Sequence, residues 1–492
     1  MNLNPVQVVQ DRNSLYCNTW WPDLHPALSY TKTEQERVRG RMKFIRYDVP
    51  MYQLRNGGAA GLFVYGGLYK ALFLWMESKG IQYEVKDVRP PLPSPDLSGV
   101  ISPKERQKIV LAKLFTSHCG IFKCPPGFGK SYIISMLPIV YKPLHILIIS
   151  TSGKVVRQLF ARTRDMCNNN GHMLSLTQLG GDRGKKMYKD GDTVIISTAA
   201  SCHKIDAEWP DMVIYDEVHG AATDRIRSVL QEFSSNDKRA RMFGFSASPT
   251  GRLDGADIAV TAAFGPILVD IPYKDSVEQG DVVPMEVHTF PVPDGCAHVE
   301  PNWDNARKER ALFWLNTVRN NRVRAAYDKL FTPDEQVIIL VKVTEHVMEL
   351  RKQFPGALLV YNDIDAKKFA KYVERGVMSA DEDHMRKADP DPETAKQLFA
   401  QGKHKVAIAT TMWKEGIDFP DLAGLIRADG MRGSIAAIQI GGRASRTNGG
   451  VKTHAKLVDF RDKYTPSVAD KYRDRLKHYV AEQWEIIDHE DF

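Results

Sequence analysis

Ile121-Phe122-Lys123-Cys124-Pro125-Pro126-Gly127-Phe128-Gly129-Lys130-Ser131 is the stretch from which the chain is read. An apolar run ends in a glycine-bearing turn, and a lysine and a hydroxyl close it. A turn between strand and helix presents backbone N–H groups, and the helix start adds its positive dipole, so the place suits phosphate oxygens. Glycine permits close approach. Lys130 supplies a cation for β/γ-phosphates, and Ser131 a hydroxyl for Mg²⁺. Pro126, Gly127, Phe128, Gly129, Lys130 and Ser131 are therefore expected to cradle a nucleoside triphosphate. The general phosphate-loop pattern has glycine where Cys124 stands.

Two further segments fit that chemistry. In Val213-Ile214-Tyr215-Asp216-Glu217-Val218-His219 an apolar strand ends in two carboxylates, 86 positions after Lys130. Asp216 is expected to reach Mg²⁺, and Glu217 to polarise the water that attacks the γ-phosphate. Far downstream stands Gln439-Ile440-Gly441-Gly442-Arg443-Ala444-Ser445-Arg446. If helical, its two arginines share a face, and guanidinium forks suit a phosphate on which charge develops. A solvated arginine pair is the plain alternative.

Around these motifs, short apolar runs alternate with helical stretches. The first set is 120–123, 146–150, 193–197, 212–215 and 242–246; the second is 337–341, 357–361, 406–409, 424–428 and 455–459. Apolar runs without alternation are what parallel strands covered on both faces look like. The expected fold class is α/β: two parallel-sheet domains in tandem, residues 96–275 and 276–465, with the charged, proline-rich segment 266–293 carrying the join. The polar segment 361–393 is expected to contain an exposed insertion, and 466–492 to form a helical tail. The proline-rich stretch 89–95 (RPPLPSP) reads as a linker. It sets off a small α+β accessory domain over 1–95, with strands at 42–47 and 62–65 and a helix carrying Leu68, Leu72, Trp75 and Met76.

At 492 residues the chain is too long for one ordinary core. No segment is apolar enough to span a membrane, and the start MNLNPVQVVQDRNSLYC lacks a leader's apolar run. A cytoplasmic protein is expected. The net charge of +7 fits a polyanionic partner. The six cysteines show no metal-binding spacing, so no structural metal is expected.

Together, the phosphate loop, the D-E-V-H box and the Q-x-x-G-R-x-x-R segment resemble the superfamily-two helicases over about residues 95–463. A small residue at position 124 is frequent in that family. The resemblance implies two RecA-like domains with ATP and Mg²⁺ between them, and arginine fingers at Arg443 and Arg446 beside Gln439. It implies adenine readers at Arg106 and Gln107. Ser246-Ala247-Ser248 looks like the family's S-A-T segment, coupling with His219 the ATP and nucleic-acid sites. Thr410-Thr411 with Glu415-Gly416-Ile417-Asp418 looks like the second domain's T-x-x-x-x-x-G-x-D segment, which brings Gly416 and Asp418 to the nucleotide.

The same resemblance implies a backbone track at Thr151, Ser152, Lys154, Arg157, Gly181, Thr198, Thr344 and Thr410, which sets position rather than sequence. In the first 95 residues, basic and aromatic residues interleave, including Arg39, Arg41 and Arg46, a mixture suited to phosphate contact with base stacking. The architecture resembles UvsW-like recombination and repair helicases, which remodel branched DNA; if phage-encoded, such a protein works in the bacterial cytoplasm. Single-stranded and branched DNA are the expected partners, with RNA left open and no membrane. The alternatives are another superfamily-two motor or an ATP-switched DNA-binding scaffold.

Overall fold

The computed structural model describes residues 5–38, 41–98, 103–142, 144–181, 187–189, 191–235, 240–250, 255–410, 413, 419, 421–432 and 452–490. It divides into two compact units. The first holds Met1–Cys124 and Phe128–Ile271; the second holds Pro125–Gly127 and Pro272–Phe492.

At the centre of the first unit is a seven-stranded parallel sheet. Across it the strands run Leu176–Leu179, Val194–Thr198, Ile146–Ser150, Met212–Asp216, Arg241–Ser246, Cys119–Lys123 and Ile267–Asp270. The four strands from Val194–Thr198 to Arg241–Ser246 are buried throughout, which is why they carry apolar residues without alternation. Register brings the motif-bearing ends level: Asp216 pairs with Ser150 and Phe245, and Ser246 with Lys123.

A parallel seven-stranded sheet also forms the core of the second unit. Its order is Leu358–Val360, Val406–Ala409, Gln336–Leu340, Leu422–Arg427, Ala455–Arg461, Met285–Pro291 and Glu485–Asp488. Both sheets are thus of the expected α/β class. The segment read as a join contains structure of its own: the last strand of the first sheet, the short helix Tyr273–Glu278 and the strand Met285–Pro291. Nor is the tail merely helical. The helix Pro466–Ala481 is followed by Glu485–Asp488, which pairs in parallel with Met285–Pro291. Within the segment 361–393, Tyr361, Ile364, Tyr372, Val377 and Met378 are buried in one cluster.

The first 90 residues build a mixed five-stranded sheet and a separate ribbon. The ribbon pairs Ser29–Val38 with Arg41–Pro50, antiparallel over ten residues a side. The five-stranded sheet is joined to the first parallel sheet through one continuous core. Leu68, Leu72 and Met76, from the predicted helix, share a buried cluster with Val260 and Phe264. Gly67 has no room for a side chain, because an added Cβ would lie 2.0 Å from Thr261 O and 2.6 Å from Gly265 N. Asn13 Nδ2 donates to Ala240 O at 3.0 Å. Among the described residues, no helix is long and apolar enough to cross a membrane.

Candidate nucleotide and nucleic-acid site

The phosphate loop follows the buried strand Cys119–Lys123 and opens the helix Lys130–Val140. Gly127 and Gly129 hold φ of +81° and +92°, a left-handed backbone that disfavours side chains. Gly129 is further pressed by Gln107, whose Nε2 an added Cβ would approach to 2.5 Å. Gln107 is buried; its Nε2 donates to Phe128 O at 3.1 Å, and its Oε1 accepts from Lys104 N at 3.0 Å. The expected adenine-reading glutamine thus also braces the loop, and half-buried Arg106 sits beside it on the helix Glu105–Phe115.

Lys130 Nζ donates to Cys124 O at 3.0 Å, across the loop mouth. Cys124 is fully buried, and burial pushes its thiol up to about 12, so it is a packing residue and not a nucleophile. The donor set fits a magnesium nucleotide: a hydroxyl at Ser131, a carboxylate at largely buried Asp216 and a helix N-terminus behind Lys130.

The strongest geometry lies in the D-E-V-H box. Glu217 has φ 58° and ψ 58°, left-handed for a residue with a side chain, and caps the short turn Val218–Ala222. Such strain costs of the order of 1–3 kcal/mol and persists only where the surroundings enforce it. Ser246 Oγ donates to Glu217 Oε2 at 3.1 Å, lies 3.0 Å from His219 Nδ1 and accepts from Ser248 N at 3.1 Å. One hydroxyl has one proton and two lone pairs, so with the proton given to Glu217, His219 donates from Nδ1. His219 Nδ1 is also 3.5 Å from Glu217 Oε2. All three proposed coupling residues therefore meet at the general-base candidate.

The proposed track residues of the first unit converge as well. Thr151, Ser152, Lys154 and Arg157 line the start of the helix Gly153–Asn169, whose N-terminal dipole favours an anion. Gly180 and Gly181 both have positive φ, near +75°. A Cβ on Gly153 would reach Gly181 Cα at 3.1 Å, and one on Gly180 would reach Thr198 Oγ1 at 2.5 Å. Ser201 joins this group with Oγ at 2.3 Å from the same point, and Gly220 lies against Thr151. Sequence reading passed over Ser201 and Gly220; their only signal is proximity in space. In the second unit, Thr344 opens the helix Thr344–Leu350 and Thr410 follows the strand Val406–Ala409, so both stand at the ends of adjacent strands.

Gly416, Asp418, Gln439, Arg443, Arg446 and Arg39 lie outside the described residues. Arg46 is exposed on the strand Arg41–Pro50 of the ribbon, the strand that Arg41 begins.

Also unforeseen is a buried ionic network in the second unit. Arg319 pairs with Asp462 at 2.9 Å and donates to Ala428 O at 2.7 Å. Arg427 pairs with Asp429 at 3.1 Å, and Arg475 with Asp459 at 2.8 Å. Tyr479 Oη donates to Asp459 Oδ2 at 2.7 Å and accepts from Arg427 at 3.1 Å. Burial pushes the Asp459 carboxyl up, but Arg475 and Arg427 outweigh it and hold it below its ordinary value.

Two family profiles match this chain. Residues 101–251 match one described as "Type III restriction enzyme, res subunit", and residues 322–448 one described as "Helicase conserved C-terminal domain". The candidate helicase 22 of Sulfolobus islandicus filamentous virus (isolate Iceland/Hveragerdi) is 26% identical over 351 residues. That alignment takes in 67% of this chain and 58% of the relative, so this chain matches little more than half of that protein. Among solved structures, S. cerevisiae Dbp5 bound to RNA and ADP BeF3 is similar with TM-score 0.50 and 12% identity, over 85% of this chain and 94% of that one. T4 UvsW is similar with TM-score 0.42 and 15% identity, over 98% and 99% of the two chains.

Proposed function

The chain belongs to the superfamily-two helicases, and on that premise we propose that it is an ATP-driven DNA helicase or translocase acting on branched DNA. The observation that carries the ATPase reading is the Glu217–Ser246–His219 cluster, held at the strand ends beside the Lys130 loop. Lys130 binds the β/γ-phosphates. Ser131 and Asp216 would hold Mg²⁺, which when bound neutralises phosphate charge. Glu217 Oε takes a proton from a water whose oxygen attacks the γ-phosphorus; the bond to the bridging oxygen breaks, and ADP and phosphate leave. Ser246 and His219 keep that carboxylate oriented and pass its state to the backbone at Ser248. The convergent loops at 151–154, 180–181 and 198 bind sugar-phosphate through N–H and hydroxyl groups, which is sequence-independent.

Preference for branched DNA is supported by the sequence resemblance and by the ten-residue ribbon that the first 95 residues add to a motor unit. The test is ATP turnover against a panel of single strand, duplex, fork, four-way junction and RNA. Forks and junctions are expected to stimulate most. Stimulation by RNA alone would overturn the DNA assignment, and no stimulation by any of them the motor itself.

A further inference from the structure

We propose that Asp224 and Arg227 anchor the Ser29–Val38/Arg41–Pro50 ribbon to the D-E-V-H box, so that the ribbon is driven by the nucleotide state of Glu217. The proposal rests on the reading of Glu217 as the water-activating group.

Among the described residues, the ribbon is held at its base. Ser29 Oγ donates to His25 O at 2.7 Å, Met51 N to Leu28 O at 2.8 Å, and His25 Nε2 lies 3.2 Å from Asp48 Oδ2. On the face carrying Tyr30 and Lys32 it meets the helix Asp224–Ser235. Arg227 Nη1 donates to Tyr30 Oη at 2.9 Å, Lys32 donates to Asp224, and Arg227 itself pairs with Asp224 at 3.1 Å. Tyr30 is 8% exposed and belongs to the same core as the helix's Ile226, Val229 and Leu230. On the opposite strand, residues 45–48, which pair with 31–34, are exposed. Ten residues at about 3.3 Å each make a ribbon roughly 33 Å long. Over residues 35–46 its sequence carries five cations, Arg37, Arg39, Arg41, Lys43 and Arg46, against the single anion Glu36. A lever of that charge suits a phosphate backbone.

The other end of the connection is short and stiff. Glu217 leads directly into the turn Val218–Ala222, and helix Asp224–Ser235 begins two residues later. Val218, Ala221 and Ala222 are buried. Val218 fills the space over Gly244, where an added Cβ would lie 2.5 Å away, and Gly220 is against Thr151. A rearrangement of Glu217 on nucleotide binding or hydrolysis therefore meets a packed segment that passes displacement on instead of absorbing it. Asp224 is the junction: it touches Lys32 on the ribbon and Arg227 on its own helix.

Hydrogen exchange of the full chain, with and without a non-hydrolysable ATP analogue, tests the connection. The analogue is expected to slow exchange in the loop 124–131 and also to change it at 29–34 and 45–50. Asp224→Asn and Tyr30→Phe are expected to keep the first change and lose the second. With a fork, both variants should hydrolyse ATP at close to the unaltered rate but unwind about fivefold fewer base pairs per ATP; Asp224→Glu should recover most of that loss. A loop response with no ribbon response in the unaltered protein overturns the proposal, as do variants whose unwinding and turnover fall in proportion. Absence of a loop response overturns the reading of the nucleotide site beneath it.

Discussion

Two parallel seven-stranded sheets of the same kind treat buried polarity differently. In the first unit, several buried polar residues at or just beyond strand ends sit in motif positions, Thr198, Asp216, Ser246 and Ser248, with Gln107 on the helix Glu105–Phe115. In the second, three arginines and three aspartates are sunk into the interior, Arg319, Arg427 and Arg475 with Asp429, Asp459 and Asp462, all under 5% exposed. The first arrangement places hydrogen bonds around the carboxylate proposed to activate water. The second ties helices Thr317–Leu330 and Pro466–Ala481 to the ends of two strands. Burying ion pairs costs much of what they return, so their effect is to fix one geometry more than to add stability. The chain next to them, Arg427 to Arg432, leads into the segment bearing Arg443 and Arg446.

The largest effect that would sharpen this contrast is chemical. Arg446→Ala should cut nucleic-acid-stimulated turnover by about 10³–10⁵, as removal of an arginine finger does, with nucleotide affinity nearly unchanged. Steady-state kinetics beside equilibrium nucleotide binding measures the split, and unchanged turnover breaks the assignment.

Next comes the ionic network. Arg475→Met leaves Asp459 with less compensation in the interior and should cost about 3–5 kcal/mol. Urea unfolding followed by tryptophan fluorescence should show it through Trp484, which stacks on Tyr479 with ring centroids 5.9 Å apart. A loss below about 1 kcal/mol, the size of a surface pair, would reduce the network to ordinary packing.

Ser246→Ala removes the hydroxyl shared by Glu217, His219 and the Ser248 amide. Loss of orientation at the base should lower turnover by about 10²-fold. Stability should fall by only about 1–3 kcal/mol. An equal fall in the unstimulated and stimulated rates would confine Ser246 to the ATP site and remove its coupling role.

The smallest effect is acid sensitivity of the first unit. Burial, with Arg89, Arg12 and Arg241 nearby, lowers His118 to about 4. The unfolded chain then takes up a proton more readily than the folded one. The stability linked to His118 is present above pH 6.5 and is lost as pH falls toward 4. Melting temperatures between pH 7 and 5 should fall less steeply in His118→Gln; an unchanged slope would contradict the assignment.

What was legible in the sequence follows the same division. The ten apolar runs all contain strands, because burial on both faces leaves no room for polar alternation. The strands Leu176–Leu179, Ile267–Asp270, Met285–Pro291 and Glu485–Asp488 escaped, since at sheet edges or beside charged residues their apolar signal is diluted. Glu217, His219 and Ser246, which the structure brings together, could be singled out because their residue types and order match the motifs the sequence resembles. The Arg475–Asp459 and Arg319–Asp462 pairs could not, because their partners stand 16 and 143 positions apart with no local pattern. Residues 89–95 correctly interrupt helix and strand. A proline-rich stretch nevertheless says nothing of whether the parts it joins share a core, as these do through Leu72 and Phe264.

The most direct test of the account is Glu217→Gln, which keeps the shape and the hydrogen-bond reach of the side chain but removes its capacity to accept the proton. ATP should bind as tightly as to the unaltered protein, while nucleic-acid-stimulated hydrolysis falls by about 10²–10⁴. Hydrolysis at the unaltered rate would contradict the assignment of the box and, with it, the cluster on which the proposed function stands.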